Sequence, residues 1–239
     1  MTCRMLVCAG KLLMPQILDD FKLMALNKNE KHEINREEPD LVHGDGWGIV
    51  IGRFGELEFY KKAVPCWSDP KYREYYETNV DFLILHARKA SPDMPVNYGF
   101  THPFEKGGWV FCHNGTIYDL TERRDRSDSE RFFEMILDSM KDETKTGVIS
   151  AIEIALTRVK RYSAINIVLA NKDKAYVLNK FQDEYPQYYT MKYLVTEDCV
   201  MVSSERLPHF YDEWKELGNN NLAVLDIASH RLECHSLDF

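Results

Sequence analysis

The sequence predicts an α+β fold, organised as one domain over residues 1–239. Three observations carry this. Short apolar runs of strand character crowd both ends of the chain. Two segments of helical periodicity stand together between residues 127 and 161. No Ser/Gly or Pro linker, low-complexity tract or internal repeat divides the sequence. Strands first, a helix pair in the middle and strands last give α+β, whereas strict strand–helix alternation would give a parallel α/β sheet.

The elements follow in order. Residues 3–9 read as a buried strand, and Ile17, Leu18, Phe21, Met24 and Ala25 recur at helical spacing. Trp47–Ile51 and Leu57–Ala63 form a hairpin around Arg53-Phe54-Gly55. Val80–Ala87 is a strand apolar on both faces, so both faces are covered. Residues 90–107 make a polar, proline-bearing loop, and Trp109–Cys112 is the next strand. Ser127 is an N-cap with Glu130 three residues on, the signature of a capping box. The helix behind it buries Phe132, Phe133, Ile136, Leu137 and Met140, and a second helix covers 147–161. Strands are expected over 164–170, 174–179, 188–195 and 199–203. A short helix over 207–217 carries Trp214, and strands over 222–227 and 231–237 close the chain.

Composition narrows the function. Hydrophobic residues make up 44% of the chain, as in an ordinary globular protein. The net charge of −8 and scattered basic residues argue against a nucleic-acid partner, which needs a basic footprint. Six cysteines without paired short spacing point to reduced thiols and a cytoplasmic setting, with no zinc or redox motif. The apolar stretch Met5–Met14 is short and broken by Lys11, a poor signal peptide. No segment reaches the roughly 20 apolar residues of a membrane helix, so no membrane partner is expected. No phosphate-loop or dinucleotide fingerprint is present, so no cofactor is implied.

Several polar blocks stand out. They are Cys3-Arg4 near the start, His43-Gly44-Asp45-Gly46-Trp47-Gly48, His86-Ala87-Arg88-Lys89-Ala90-Ser91, Thr101-His102-Pro103-Phe104, Cys112-His113-Asn114-Gly115 and Ser127-Asp128-Ser129-Glu130. Each alone has a plain explanation. A free cysteine in a strand is usually a small core residue, Asn-Gly is a turn signal, and Asp128 suits the positive end of a helix dipole. Arg88 is harder to dismiss, because it ends an apolar strand where an unpaired charge is costly. A cysteine at a chain terminus would join a nucleophile to an amine of pKa about 7.7–8.0, so that one residue serves as nucleophile and base.

Taken together and in this order, the blocks resemble the class II glutamine amidotransferases, a branch of the N-terminal nucleophile hydrolases, and most of all their stand-alone single-domain members. The resemblance implies a four-layer αββα sandwich of two mainly antiparallel sheets flanked by helices. It implies that Cys3 attacks the γ-amide of glutamine or of a γ-glutamyl compound and forms a thioester. The side-chain amide of Asn114 and the N–H of Gly115 would hold the oxyanion. Arg88 would pair with the α-carboxylate, Asp128 would hold the α-amino group, and Ser91 and His102 would complete the substrate site, with His86 orienting it. Asp45 and Trp47 could wall the pocket or belong to a plain hairpin turn. No metal is implied, and a separate synthase or acceptor subunit is a possible partner.

The chain departs from the family in two places. Ser91 stands where the relatives carry threonine, and Thr2 separates Met1 from Cys3. Three readings of the start follow: Met1-Thr2 is removed as a leader, Thr2 is itself the nucleophile, or the chain keeps the fold as a non-catalytic module that binds a ligand or a partner. Successive strand side chains point to opposite faces, so Thr2 and Cys3 cannot both enter one pocket. The Cys3-Arg4-x-Leu6 pattern favours Cys3.

Overall fold

The computed structural model describes residues 3–237 except 54, 93, 122–125, 183 and 212. Met1, Thr2 and Phe54 of the expected hairpin turn therefore lie outside the described residues. In chain order the elements begin with β1 (Cys3–Gly10), α1 (Met14–Ala25), α2 (Glu33–Glu37), β2 (Gly46–Arg53), β3 (Glu56–Lys62), α3 (Pro70–Glu74) and β4 (Phe82–Arg88). Next come β5 (Phe104–Lys106), β6 (Trp109–Asn114), α4 (Asp128–Ser139), α5 (Lys145–Thr157), β7 (Asn166–Ala170) and β8 (Lys174–Asn179). The last are α6 (Pro186–Tyr189), β9 (Met191–Val195), β10 (Cys199–Ser203), β11 (Lys215–Leu217), β12 (Asn221–Asp226) and β13 (Arg231–Ser236).

Two antiparallel sheets result, ordered β11-β9-β10-β1-β4-β2-β3 and β13-β12-β8-β7-β6-β5. Strand parity sorts the side chains into layers. Met5, Val7 and Ala9 of β1 and Ile84 of β4 face inward, against Val110 and Cys112 of β6 and Val168 of β7. Leu6, Cys8, Leu83 and Leu85 face outward onto Ile17, Leu18, Phe21 and Met24 of α1. Phe111, Ile167 and Leu169 face outward from the second sheet onto Phe132, Phe133 and Ile136 of α4 and Ala151 and Ile152 of α5. The layers run helix, sheet, sheet, helix, which is the expected αββα sandwich.

Local chemistry sets the helix boundaries. The Ser127 hydroxyl accepts the Glu130 N–H at 3.0 Å and starts α4. The expected reciprocal half of the box is not made, because the Glu130 carboxylate turns to Arg126 Nε at 3.2 Å. The second helix starts two residues early, where the Thr144 hydroxyl accepts the Gly147 N–H at 3.1 Å, and it ends at Thr157. Residues 160 and 161 leave it because their N–H groups donate to the Asp119 carboxylate.

Three further expectations need correction. The 188–195 segment opens as a helix, Pro186–Tyr189, and extends only from Met191. Pro186 occupies the first helical turn, where its missing N–H costs nothing. The expected helix over 207–217 does not form: Lys215–Leu217 is the edge strand β11 on β9. Pro208 interrupts the apparent helical spacing, and Trp214 still packs on the outer core with its Nε1–H on the Phe210 carbonyl at 3.1 Å. Within the expected 90–107 loop lie a 3₁₀ turn, Tyr98–Phe100, and the short strand β5.

Candidate active site at one end of the sandwich

The parity that buries Met5 and Val7 between the sheets also sends Cys3 inward, at the open end of β1. Arg88 is its cross-strand partner on β4, and Gly46 of β2 pairs with Arg88 on the other side. Asn114 ends β6 in the facing sheet, with inward parity shared by Val110 and Cys112. The Cys3 N–H donates to Asn114 Oδ1 at 2.7 Å, joining the two sheets across 111 residues of sequence. A side-chain amide has separate acceptor and donor ends. With Oδ1 engaged by Cys3, the NH₂ group of Asn114 is the end left for a ligand.

Gly115 follows with φ of 141°, and a Cβ there would lie 2.0 Å from the Ala164 carbonyl oxygen. Only glycine lets the chain turn out of β6 this close to a neighbouring backbone. The turn brings Ile117 to α4, where its N–H donates to Asp128 Oδ2 at 2.8 Å. Behind Asn114, on the opposite face of β6, His113 Nδ1 lies 2.8 Å from the Ser129 hydroxyl and its Nε2 lies 3.2 Å from the Ala164 carbonyl. His113 thus ties the end of β6 to the first turn of α4 and places Asp128 beside it.

Arg88 is 1% exposed, and its Nε and Nη1 are buried without a hydrogen-bond partner. Burial pulls its pKa down, while Cys3, Asp45 and Asp128 act on it in the opposite direction. Such orphaned donors cost free energy unless a ligand meets them. A guanidinium fork suits a carboxylate. Burial also pushes the Cys3 thiol above its ordinary pKa, opposed by the Lys89 carbonyl contact and by Arg88. The resting thiol is therefore protonated at neutral pH, and attack needs a base.

The other expected residues fall as follows. Asp45 holds the turn after β4, accepting the Ala90 N–H at 2.8 Å and pairing with Lys89 Nζ at 3.3 Å. Ser91 lies with Asp45, Lys89, Tyr118, Ser163 and Tyr189 in the wall of a cavity of about 630 Å³. The cavity adjoins Cys3, since the Lys89 carbonyl oxygen is 4.0 Å from Cys3 Sγ. His102 stands deeper, its ring 4.3 Å from His86 and 4.7 Å from Phe104, and neither ring nitrogen has a partner. His86 Nε2 lies 3.2 Å from the His113 carbonyl. Burial holds His86 down to about 3 and His102 well below its ordinary value, so both are neutral packing groups here. Trp47 is not a pocket wall: it faces the outer core, with Nε1–H donating to Asp69 Oδ2 at 3.1 Å.

Sequence reading missed Tyr188, whose hydroxyl donates to the Cys3 carbonyl at 3.2 Å, and Tyr189 and Ser163 in the cavity wall. No local motif marks them. A larger hollow, about 800 Å³, lies at the far end of the strands among Gly52, Asp81, Lys172, Tyr176 and Asp226. No cysteine lines it, and Lys174 and Asp226 in its wall neutralise each other at 2.7 Å. Among the described residues no group of three His, Cys, Asp or Glu side chains is placed to hold a metal ion.

Comparison with known proteins gives the family and agrees with the fold. The sequence model described as "Glutamine amidotransferases class-II" matches residues 34–185, a span that contains Arg88, Ser91, His102, Asn114, Gly115 and Asp128 and begins after Cys3. The chain is 30% identical over 83 residues to the gamma-glutamyl-hercynylcysteine sulfoxide hydrolase of Mycobacterium tuberculosis (strain CDC 1551 / Oshkosh), a match over 34% of this chain and 36% of that protein. The match thus spans only about a third of that relative's length. A glutamine aminotransferase class-II domain protein from Silicibacter pomeroyi shares the fold with a TM-score of 0.62 at 16% identity, over 98% of this chain and 99% of the other. The glutamine phosphoribosylpyrophosphate amidotransferase of B. subtilis shares it with a TM-score of 0.67 at 15% identity, over 98% of this chain and 49% of the other. The chain belongs to the class II glutamine amidotransferases.

Proposed function

We propose that this chain is a single catalytic unit that hydrolyses the γ-amide of glutamine or of a γ-glutamyl compound through a Cys3 thioester. The observation that carries the reading is the convergence of Cys3, Arg88 and Asn114 from strands far apart in sequence, with Nε and Nη1 of the buried Arg88 guanidinium lacking a hydrogen-bond partner. A buried fork without a partner fits the α-carboxylate of an amino acid. Asp128, which acts electrostatically on both Cys3 and Arg88, suits the α-amino group. The mycobacterial relative is named as a hydrolase of a γ-glutamyl compound, which favours the same chemistry here. Ser91 lines the approach, and His102 supports the site from behind by packing on His86.

In this mechanism the Cys3 α-amine takes the thiol proton as Sγ bonds to the γ-carbonyl carbon. The carbonyl oxygen becomes an oxyanion held by the Asn114 NH₂ and the Gly115 N–H. Collapse breaks the C–N bond, the proton passes to the leaving nitrogen, and ammonia or an amine departs. Water then attacks the thioester, releasing glutamate and restoring the thiol. The base exists only when Cys3 is the first residue, since an amide nitrogen cannot accept that proton. The mechanism therefore requires a mature form in which Cys3 is the first residue. A separate acceptor subunit could receive the ammonia, and the five buried thiols suit a cytoplasmic protein.

The test compares full-length protein with a form beginning at Cys3. Intact mass fixes the terminus, and release of glutamate and of ammonia or amine measures turnover. The Cys3 form is expected to turn over, and Cys3→Ala in that form to bind without turnover. Equal rates from both forms would overturn the terminal-amine mechanism. Failure of both on glutamine and several γ-glutamyl amides would overturn the hydrolase reading.

A further inference from the structure

Cys3 is followed by a fully buried arginine. Parity sends Arg4 to the face of β1 opposite the nucleophile, where it is 0% exposed. Its Nη2 lies 2.8 Å from Glu205 Oε1, which is itself buried. His32 Nε2 lies 2.6 Å from the same nitrogen. Arg4 grips Tyr188 in two ways: Nη1 donates to the Tyr188 carbonyl at 3.2 Å, and the guanidinium carbon sits 3.8 Å from the centre of the ring. The far end of that ring carries the hydroxyl that donates to the Cys3 carbonyl at 3.2 Å, and His43 Nε2 lies 3.1 Å from the Tyr188 hydroxyl oxygen.

A buried ion pair is a weak source of stability, because desolvation offsets most of its attraction and apolar side chains of equal volume serve as well. What it supplies is one geometry. Here that geometry ends on the main chain of the residue read above as the nucleophile. Asn114 fixes the nitrogen of Cys3 from the facing sheet, and Tyr188 fixes its carbonyl from the side of α6. The two contacts fix the nitrogen and the carbonyl group that flank the carbon from which Cβ and Sγ project.

We propose that Arg4 and Tyr188 are positioning residues for Cys3, acting from outside the substrate pocket by clamping its carbonyl. This rests on the reading of Cys3 as the nucleophile. Glu205 keeps the Arg4 charge compensated so that the guanidinium can stack on Tyr188 rather than turn to solvent. Misplacement of a nucleophile by a fraction of an ångström lowers the rate of attack without altering the groups that bind substrate.

The test uses Tyr188→Phe and Arg4→Lys in the full chain carried through the same maturation. Active sites are titrated with a diazo-ketone glutamine analogue, and kcat and KM are measured per labelled site on a γ-glutamyl anilide. Tyr188→Phe keeps the ring for Arg4 and removes only the clamp, so it isolates the effect even where Arg4→Lys folds poorly. Its kcat per labelled site is expected to fall about tenfold, the equivalent of one lost hydrogen bond, with KM unchanged. Arg4→Lys keeps the charge but loses the fork and the stack, and its kcat should fall in the same direction. A merely structural role would reduce the number of labelled sites and leave kcat per site intact. Tyr188→Phe with wild-type kcat per site would overturn the positioning role alone. A wild-type chain that neither labels nor turns over would overturn the nucleophile reading and this proposal with it.

Discussion

Asn114→Ala separates the two jobs placed on one side chain. The substitution removes Oδ1, which accepts the Cys3 N–H at 2.7 Å, and the NH₂ group assigned to the oxyanion. Loss of one such donor typically lowers kcat by about 10²–10³, or about 2.7–4 kcal/mol of transition-state stabilisation. The structural cost is separate. Asn114 is 1% exposed, so the Cys3 nitrogen is left buried without its acceptor, which costs about 1–3 kcal/mol. For a chain of this size each kcal/mol lowers Tm by about 2–4 °C. Steady-state kinetics on the Cys3-started protein, with calorimetry on the same sample, reads both effects. The expected result is a kcat loss of two to three orders of magnitude, a smaller change in KM and a Tm lowered by several degrees. A variant whose Tm falls while kcat stays within about threefold of wild type would refute the oxyanion role and leave Asn114 as a strand-end clamp only.

Two further predictions follow from the same interior. Gly48→Ala should fail to accumulate as folded protein, because its Cβ would lie 2.1 Å from the His102 carbonyl oxygen and 2.6 Å from Pro103 Cδ; soluble expression with an unchanged Tm would refute that packing. Stability should fall as pH drops below about 6.5, the ordinary histidine value. Burial holds His43 and His86 down to about 3 in the folded chain, so the unfolded chain takes up these protons first. Each site then costs about 1.4 kcal/mol per pH unit between its unfolded and folded values. Urea melts at pH 7, 6 and 5 measure the slope, and His43→Gln should reduce it by one proton. A flat profile over that range would show that these rings are not buried neutral.

Much of the fold was legible because strand parity and helical spacing are local. Met5, Val7 and Ala9 alternate with Leu6 and Cys8, and that pattern alone requires two apolar layers around β1. The 207–217 segment misled for the same reason: its apolar spacing is helical, yet Pro208 and the open edge of β9 decided the matter. At the site, the order of blocks pointed to Cys3, Arg88, Asn114, Gly115 and Asp128. The buried environment that separates Trp47 from Asp45 was not visible, although the two stand two residues apart.

The sequence by itself determined the α+β class, the buried strand that begins at Cys3 and the blocks of polar residues whose order resembles the family, because each depends on periodicity or on a few adjacent residues. Tertiary structure decided which groups meet there. The contact of Cys3 with Asn114 and the Arg4–Glu205–Tyr188 clamp join segments far apart in the chain, and only sheet pairing and parity bring them into hydrogen-bond range. The lack of a hydrogen-bond partner at Arg88 Nε and Nη1 is likewise a property of the folded interior, since an exposed guanidinium would be satisfied by water.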